Sequence, residues 1–200
     1  MTTLHAKGQD GRTLTTDGHS QLTIGYDNSA LVWNVTDDST VANAYTHNFF
    51  GGTLKLDADV SQVGCGCQSG ISLVHLDDQS CTLADIELGT CSTIELFRGN
   101  SNGVRMSLDD TCSKKIEVPM LYGPEDSSWI DSQLPYTVLV KFYKNYEESS
   151  LTRGYIEINQ EGKAYRVPFD DCLSTIESLS SMLKDNRMAL VMTNKPLDDP

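Results

Sequence analysis

An all-β domain of two curved antiparallel sheets with one short helix is the fold class this sequence predicts, and three observations predict it. Short apolar-rich segments alternate with turn-forming residues along nearly the whole chain. Several of these segments alternate apolar and polar side chains with a period of two, as a strand with one wet face does. Only Leu173 to Met182 carries helical spacing, with Ile176, Leu179 and Met182 on one side. Many short strands and a single helix in one domain point to a two-sheet sandwich.

Strands are expected from Gln21 to Tyr26 and from Ala30 to Val35, where Leu31, Trp33 and Val35 share a parity. That parity places Trp33 in the core rather than on an open platform. The clearest alternation follows from Gly52 to Val60, in Thr53-Leu54-Lys55-Leu56-Asp57-Ala58-Asp59-Val60. Ile71 to Leu76, Thr93 to Phe97 and Val104 to Leu108 come next. Regular alternation would put Thr93, Glu95 and Phe97 on one face. The second half supplies Tyr136 to Tyr143, Arg153 to Ile158, Lys163 to Val167 and Met188 to Thr193. Asn159-Gln160-Glu161-Gly162 reads as a hairpin turn between two of them.

At 200 residues the chain suits one domain, residues 1–200, able to bury roughly 70% of its unfolded surface. Residues 1–13 are expected to be flexible. No apolar run reaches the roughly 18 residues of a membrane span, and the first residues hold no apolar signal core. The net charge of −13 argues against a nucleic-acid partner, and no Lys/Arg cluster stands out along the chain. Acid recurs as Asp-Asp pairs, such as Asp109-Asp110 and Asp170-Asp171, at expected turns. Solvated loop chemistry explains them, and no EF-hand spacing supports calcium. The four histidines stand at no metal-ligand spacing, and no phosphate loop or Ser-His-Asp pattern is visible, so no metal or cofactor is expected.

Six cysteines in an acidic all-β chain suggest an oxidising, extracellular compartment, and the Asn34-Val35-Thr36 sequon fits secretion. Spacing alone permits fifteen pairings of six cysteines. Cys65 and Cys67 lie two apart and point to one strand face, so they are free, strained together, or linked to another chain.

Cys91-Ser92-Thr93-Ile94-Glu95-Leu96-Phe97-Arg98-Gly99-Asn100-Ser101 is the most informative stretch. It resembles the catalytic strand of glycoside hydrolase family 7, Cys-Ser-Glu-Met-Asp-Ile-Trp-Glu-Ala-Asn-Ser. Leu56-Asp57-Ala58-Asp59-Val60-Ser61-Gln62 resembles the family's Phe-Asp-Val-Asp-Val-Ser-Gln, Leu121-Tyr122-Gly123-Pro124 its Phe-Tyr-Gly-Pro, and Met188-Ala189-Leu190-Val191-Met192-Thr193 its Met-Val-Leu-Val-Met-Ser. In the same order, Ser20 to Tyr26 is similar to the family's Asn-Ser-Leu-Ser-Ile-Gly-Phe strand. The resemblance runs from about Leu14 to about Thr193; the family's first and last strands have no clear counterpart, and its long tunnel loops are absent or short.

The resemblance implies a concanavalin-like β-jelly roll with the disulfides Cys81–Cys91 and Cys112–Cys172. It also implies that the catalysts are gone. The nucleophile position is Thr93, the helper aspartate is Glu95 and the acid/base position is Arg98. A retaining glycosidase needs two carboxyl groups about 5 Å apart, and this strand keeps one. Arg98 beside Glu95 is expected to form an ion pair, the opposite of an acid poised to donate a proton. The family's cleft tyrosine falls on Ser72, and its cleft tryptophan falls near Lys195. Glycan-binding candidates are therefore Glu95, Arg98, Ser72, Tyr26, Trp33 and Trp129, although Trp129 also reads as core. Tyr45, Phe49 and Phe50 are further candidates for the floor of a groove.

Three readings follow from these residues. The first is a secreted, catalytically degenerate cellulase-like protein that binds β-glucan or another cell-wall or matrix glycan. The second is an active β-glucanase with relocated carboxylates. The third is a structural or protein-interaction scaffold that self-associates through an open sheet edge or through Cys65 or Cys67.

Overall fold

The computed structural model describes residues 46–64, 66–76, 91–109, 111–145, 147, 150–185 and 187–196, together with the strands formed by 5–7, 14–16, 22–24 and 28–33. Strands β1 (His5–Lys7), β2 (Leu14–Thr16), β3 (Leu22–Ile24) and β4 (Asn28–Trp33) come first. They are followed by β5 (Thr46–His47), β6 (Thr53–Ala58), β7 (Cys67–His75), β8 (Thr93–Gly99), β9 (Val104–Ser107) and β10 (Ser113–Ile116). Two-residue strands β11 (Tyr122–Gly123) and β12 (Ile130–Asp131) precede β13 (Tyr136–Asn145), β14 (Ser150–Gln160) and β15 (Lys163–Pro168). Helix α1 (Leu173–Lys184) and β16 (Met188–Pro196) complete the described elements.

Two sheets carry the fold. The larger runs β1-β4-β16-β7-β8-β9-β10, with β5 also on β16; the smaller runs β15-β14-β13-β6. Every neighbouring pair in both is antiparallel. This is the predicted two-sheet sandwich. The core lies between the sheets: β13 sends Tyr136, Val138, Val140 and Phe142 inward and holds Thr137, Leu139 and Lys141 half-exposed. Ile94, Leu96, Phe97 and Met106 of the larger sheet meet them with Ile156 and Ile158 of β14. Each such side chain is worth about 1.5–3 kcal/mol when fully buried.

The β14–β15 hairpin turns on Glu161 and Gly162, both at positive φ, the primed geometry whose twist matches the strands. Helix α1 buries Ile176, Ser180 and Leu183. Leu179 and Met182, expected on the same side, only flank the core half-buried. The shift has a specific partner: Ser180 Oγ accepts the Leu151 backbone N–H at 3.0 Å, so the helix turns a hydroxyl toward β14.

Residues 5–7 pair with β4 along its edge. Three further expectations change. Strand β7 begins at Cys67, because Gln68, Ser69 and Gly70 form ladder bonds without apolar alternation. Strand β10, Ser113-Lys114-Lys115-Ile116, lies at a sheet edge and has no apolar period to reveal it. Phe97 does not share a face with Thr93 and Glu95; it is 1% exposed in the core. A bulge causes this. Ile71 pairs with Phe97 and Ser72 with Glu95, so Leu96 is the extra residue and the parity of β8 changes there.

Candidate functional site

The bulge builds the site. Thr93 and Glu95 lie on the outer face of the larger sheet, and the inserted Leu96 returns Arg98 to that same face. In a regular ladder through residues 93–98, with no bulge, Arg98 would point into the core. Across the ladder, Ser72 stands opposite Glu95, and Gly70 stands opposite Arg98. Ser72, Thr93, Glu95 and Arg98 are thus brought together. A side chain at position 70 has no room, because its Cβ would lie 2.7 Å from Thr193 Oγ1.

Arg98 Nη2 donates to Glu95 Oε2 in the expected ion pair. The Glu95 side chain is 26% exposed, and its Oε1 is buried without a hydrogen bond. Its backbone oxygen accepts Ser107 Oγ at 2.7 Å. Among the described residues, no other carboxylate occupies the outer-face register positions of β16, β7, β8, β9 or β10.

The register also brings together cations that lie apart in sequence. Arg98 is directly opposite Arg105, and Arg105 is directly opposite Lys115. The expectation of no basic cluster therefore fails here, since three strands align residues 98, 105 and 115 in one row. They line a cleft of about 490 Å³ with Gln68, Asn102 and Glu117. Lys115 and Glu117 form a solvent-exposed ion pair at 3.7 Å. No aromatic side chain lines this cleft among the described residues.

The loop at the cleft rim, Asn100 to Gly103, is held from several sides. Asn100 Oδ1 accepts the backbone N–H groups of Asn102 and Gly103, and its Nδ2 donates to Cys67 O. Tyr122 Oη donates to Asn100 O at 2.8 Å, and Ser132 Oγ donates to Ser101 O. Tyr136 Oη lies 3.0 Å from Tyr122 Oη; because the Tyr122 proton is committed to Asn100, Tyr136 is the donor there. Burial pushes both phenols up, Tyr122 to about 12 and Tyr136 well above its ordinary value. Both stay neutral, and the rim keeps its anchor.

Other sequence-chosen residues fall elsewhere. Trp129 is 47% exposed and not core; its Nε1 donates to Ala164 O of β15, on the edge of the smaller sheet, and Lys163 lies over its ring. Phe49 is core, while Phe50 is half-buried with Lys184 over its ring. Tyr26, Tyr45 and the Trp33 side chain lie outside the described residues. Cys112 and Cys172 are disulfide-bonded, as the resemblance implies. Cys91 is disulfide-bonded as well, but Cys81 and Cys65 lie outside the described residues. Cys67 is a free, half-buried thiol. Among the described residues no group of three or more His, Cys, Asp or Glu is placed to hold a metal, and no helix is long and apolar enough to cross a membrane.

Sequence reasoning missed Arg105 and Lys115. The available signal was the Asn100-Ser101-Asn102-Gly103 turn: a hairpin closed on Gly99 and Val104 sets Arg98 opposite Arg105. Lys115 gave no signal because β10 lacks a pattern.

No protein-family model matches this chain, and no curated protein matches it. Solved structures do. The native endocellulase EGI of Humicola insolens superposes with a TM-score of 0.62 at 12% identity, over 84% of this chain and 61% of that one. A family 7 cellobiohydrolase from Daphnia pulex superposes with a TM-score of 0.60 at 13% identity, over 93% of this chain and 65% of that one. The fold is that of the family 7 glycoside hydrolases in shortened form, and the chain spans less than two thirds of the length of these enzymes. At such identities the likeness concerns the fold.

Proposed function

We propose that this protein binds a cell-wall or matrix glycan on the outer face of its larger sheet and does not hydrolyse it. One observation carries the reading. The bulged strand β8 presents positions 93, 95 and 98 on one face, the three positions that hold carboxylates in the family strand it resembles, and here they hold Thr93, Glu95 and Arg98. The scaffold of the chemistry is kept and its reagents are not. Retention of configuration requires a nucleophile and an acid/base about 5 Å apart; among these three positions the one carboxylate, Glu95, is already committed to Arg98.

Polar side chains at Gln68, Ser72 and Thr193 offer hydrogen bonds to sugar hydroxyls along the same face. Secretion fits this reading, as a disulfide joins Cys112 to Cys172. Binding to the folded state raises the melting temperature by mass action. A panel of cell-wall polysaccharide fragments, β-glucans included, is expected to give a thermal shift that is lost in Ser72→Trp, which fills the face. No shift with any fragment would sink the glycan reading and favour a structural or protein-partner role.

A further inference from the structure

We infer that the glycan this cleft takes is acidic, a chain bearing carboxylate or sulfate groups. The inference rests on the glycan-binding reading above and names its substrate class. Acids outnumber bases 28 to 15 over the chain. In the cleft the balance reverses: Arg98, Arg105 and Lys115 line it with Glu117, and even with Glu95 paired to Arg98 the cations outnumber the carboxylates three to two.

The reversal is built by the ladder. Arg98, Arg105 and Lys115 occupy directly opposed positions on β8, β9 and β10. Like charges directly opposite each other oppose sheet formation. Glu95 and Glu117 offset part of that repulsion, and an anion laid across the row would offset more. Lys115 is 64% exposed and its partner Glu117 70%, so their ion pair is weak and open to exchange for a ligand anion. The rim is held by the buried Tyr122 hydroxyl through Asn100, which fixes the strand spacing that aligns the row. No aromatic platform lines the cleft among the described residues, so apolar stacking, the usual grip on a neutral sugar ring, is not what these side chains offer. Guanidinium groups instead match carboxylate and sulfate oxygens two at a time.

Titration calorimetry on the full chain tests this with four probes of equal length: a neutral cello-oligosaccharide, the same oligosaccharide sulfated, an oligogalacturonide, and a single-stranded DNA of the same charge. The expected result is that at least one acidic sugar binds at least about tenfold tighter than the neutral one, weakening steeply as salt screens the charges. Which acidic sugar wins identifies the anion as sulfate or carboxylate. Lys115→Gln, at an exposed site, is expected to weaken that binding several-fold and to flatten its salt dependence while the ligand-free melting temperature stays that of wild type. Equal binding of neutral and acidic sugars would overturn the acidic inference and keep the glycan reading. DNA binding as tight as the acidic sugar would overturn it in favour of a general polyanion site. Silence from all three sugars would overturn both.

Discussion

Single residues decide what the outer face can do. Arg98 turns Glu95 from a candidate reagent into half of an ion pair, and that was legible in the sequence because the two positions fall inside one motif. Arg105 and Lys115 were not legible, since their relation to Arg98 exists only across a ladder. Asp109 shows how an Asp-Asp pair is used at a turn: it accepts hydrogen bonds from Thr111 Oγ1 and the backbone N–H groups of Thr111 and Cys112. Burial works against its charge, but the bonds from Thr111 and Cys112 outweigh burial and hold the carboxyl below its ordinary value of 3.8. A lowered carboxyl contributes stability above its unfolded value and loses it as the pH falls through the folded one. Asp109→Ala is therefore expected to melt lower than wild type at pH 7, with the gap narrowing below about pH 3.8, as thermal unfolding at several pH values reads. Tyr122 titrates in the opposite sense. Its raised value of about 12 means stability is full below 10 and is lost as the pH climbs between the two. Tyr122→Phe is expected to remove part of that alkaline loss and to cost about 1–3 kcal/mol at neutral pH, because Asn100 O loses its donor. Chemical denaturation at pH 8 and pH 11 checks both halves.

At the scale of elements, β8 is the one whose geometry matters most, and its irregularity was hidden. Regular alternation predicted Thr93, Glu95 and Phe97 on one face; the extra residue Leu96 sends Phe97 into the core and Arg98 outward. A bulge has no apolar period of its own, so pattern reading alone misses it. The long central strands were legible because β13 and β14 alternate cleanly, as was the helix from its spacing. The polar edge strand β10 gave no such signal. Deleting Leu96 closes the bulge and leaves Phe97 facing the core and Arg98 facing outward, but removes one fully buried leucine. The deletion is expected to cost about 2–5 kcal/mol in urea denaturation, as the loss of a buried leucine does. Native-like stability of the deletion variant would contradict the packing role given to Leu96.

Over the whole molecule, the sandwich was legible from the abundance of short alternating segments, and the jelly-roll class from the resemblance to family 7; the order of strands within each sheet was not. The Cys112–Cys172 disulfide closes a separation of 60 residues, tying the turn before β10 to the start of α1. In the chain-entropy account such a closure is worth about 4 kcal/mol, so Cys112→Ala with Cys172→Ala is expected to lower the melting temperature markedly while leaving the strand content unchanged by circular dichroism. Strands β10 and β15 lie at sheet edges among the described residues, and the sequence-level idea of self-association through an edge is checked by sizing the protein in solution. The central claim, a family 7-like scaffold whose outer face holds a glycan without cutting it, meets its most direct test in one measurement: reducing-end release from a panel of neutral and acidic cell-wall glycans, run beside a binding readout on the same samples. Binding with no release above the enzyme-free control is the predicted result. Release from any of them that disappears in Glu95→Gln would contradict the account and return Glu95 to the role of a working catalyst.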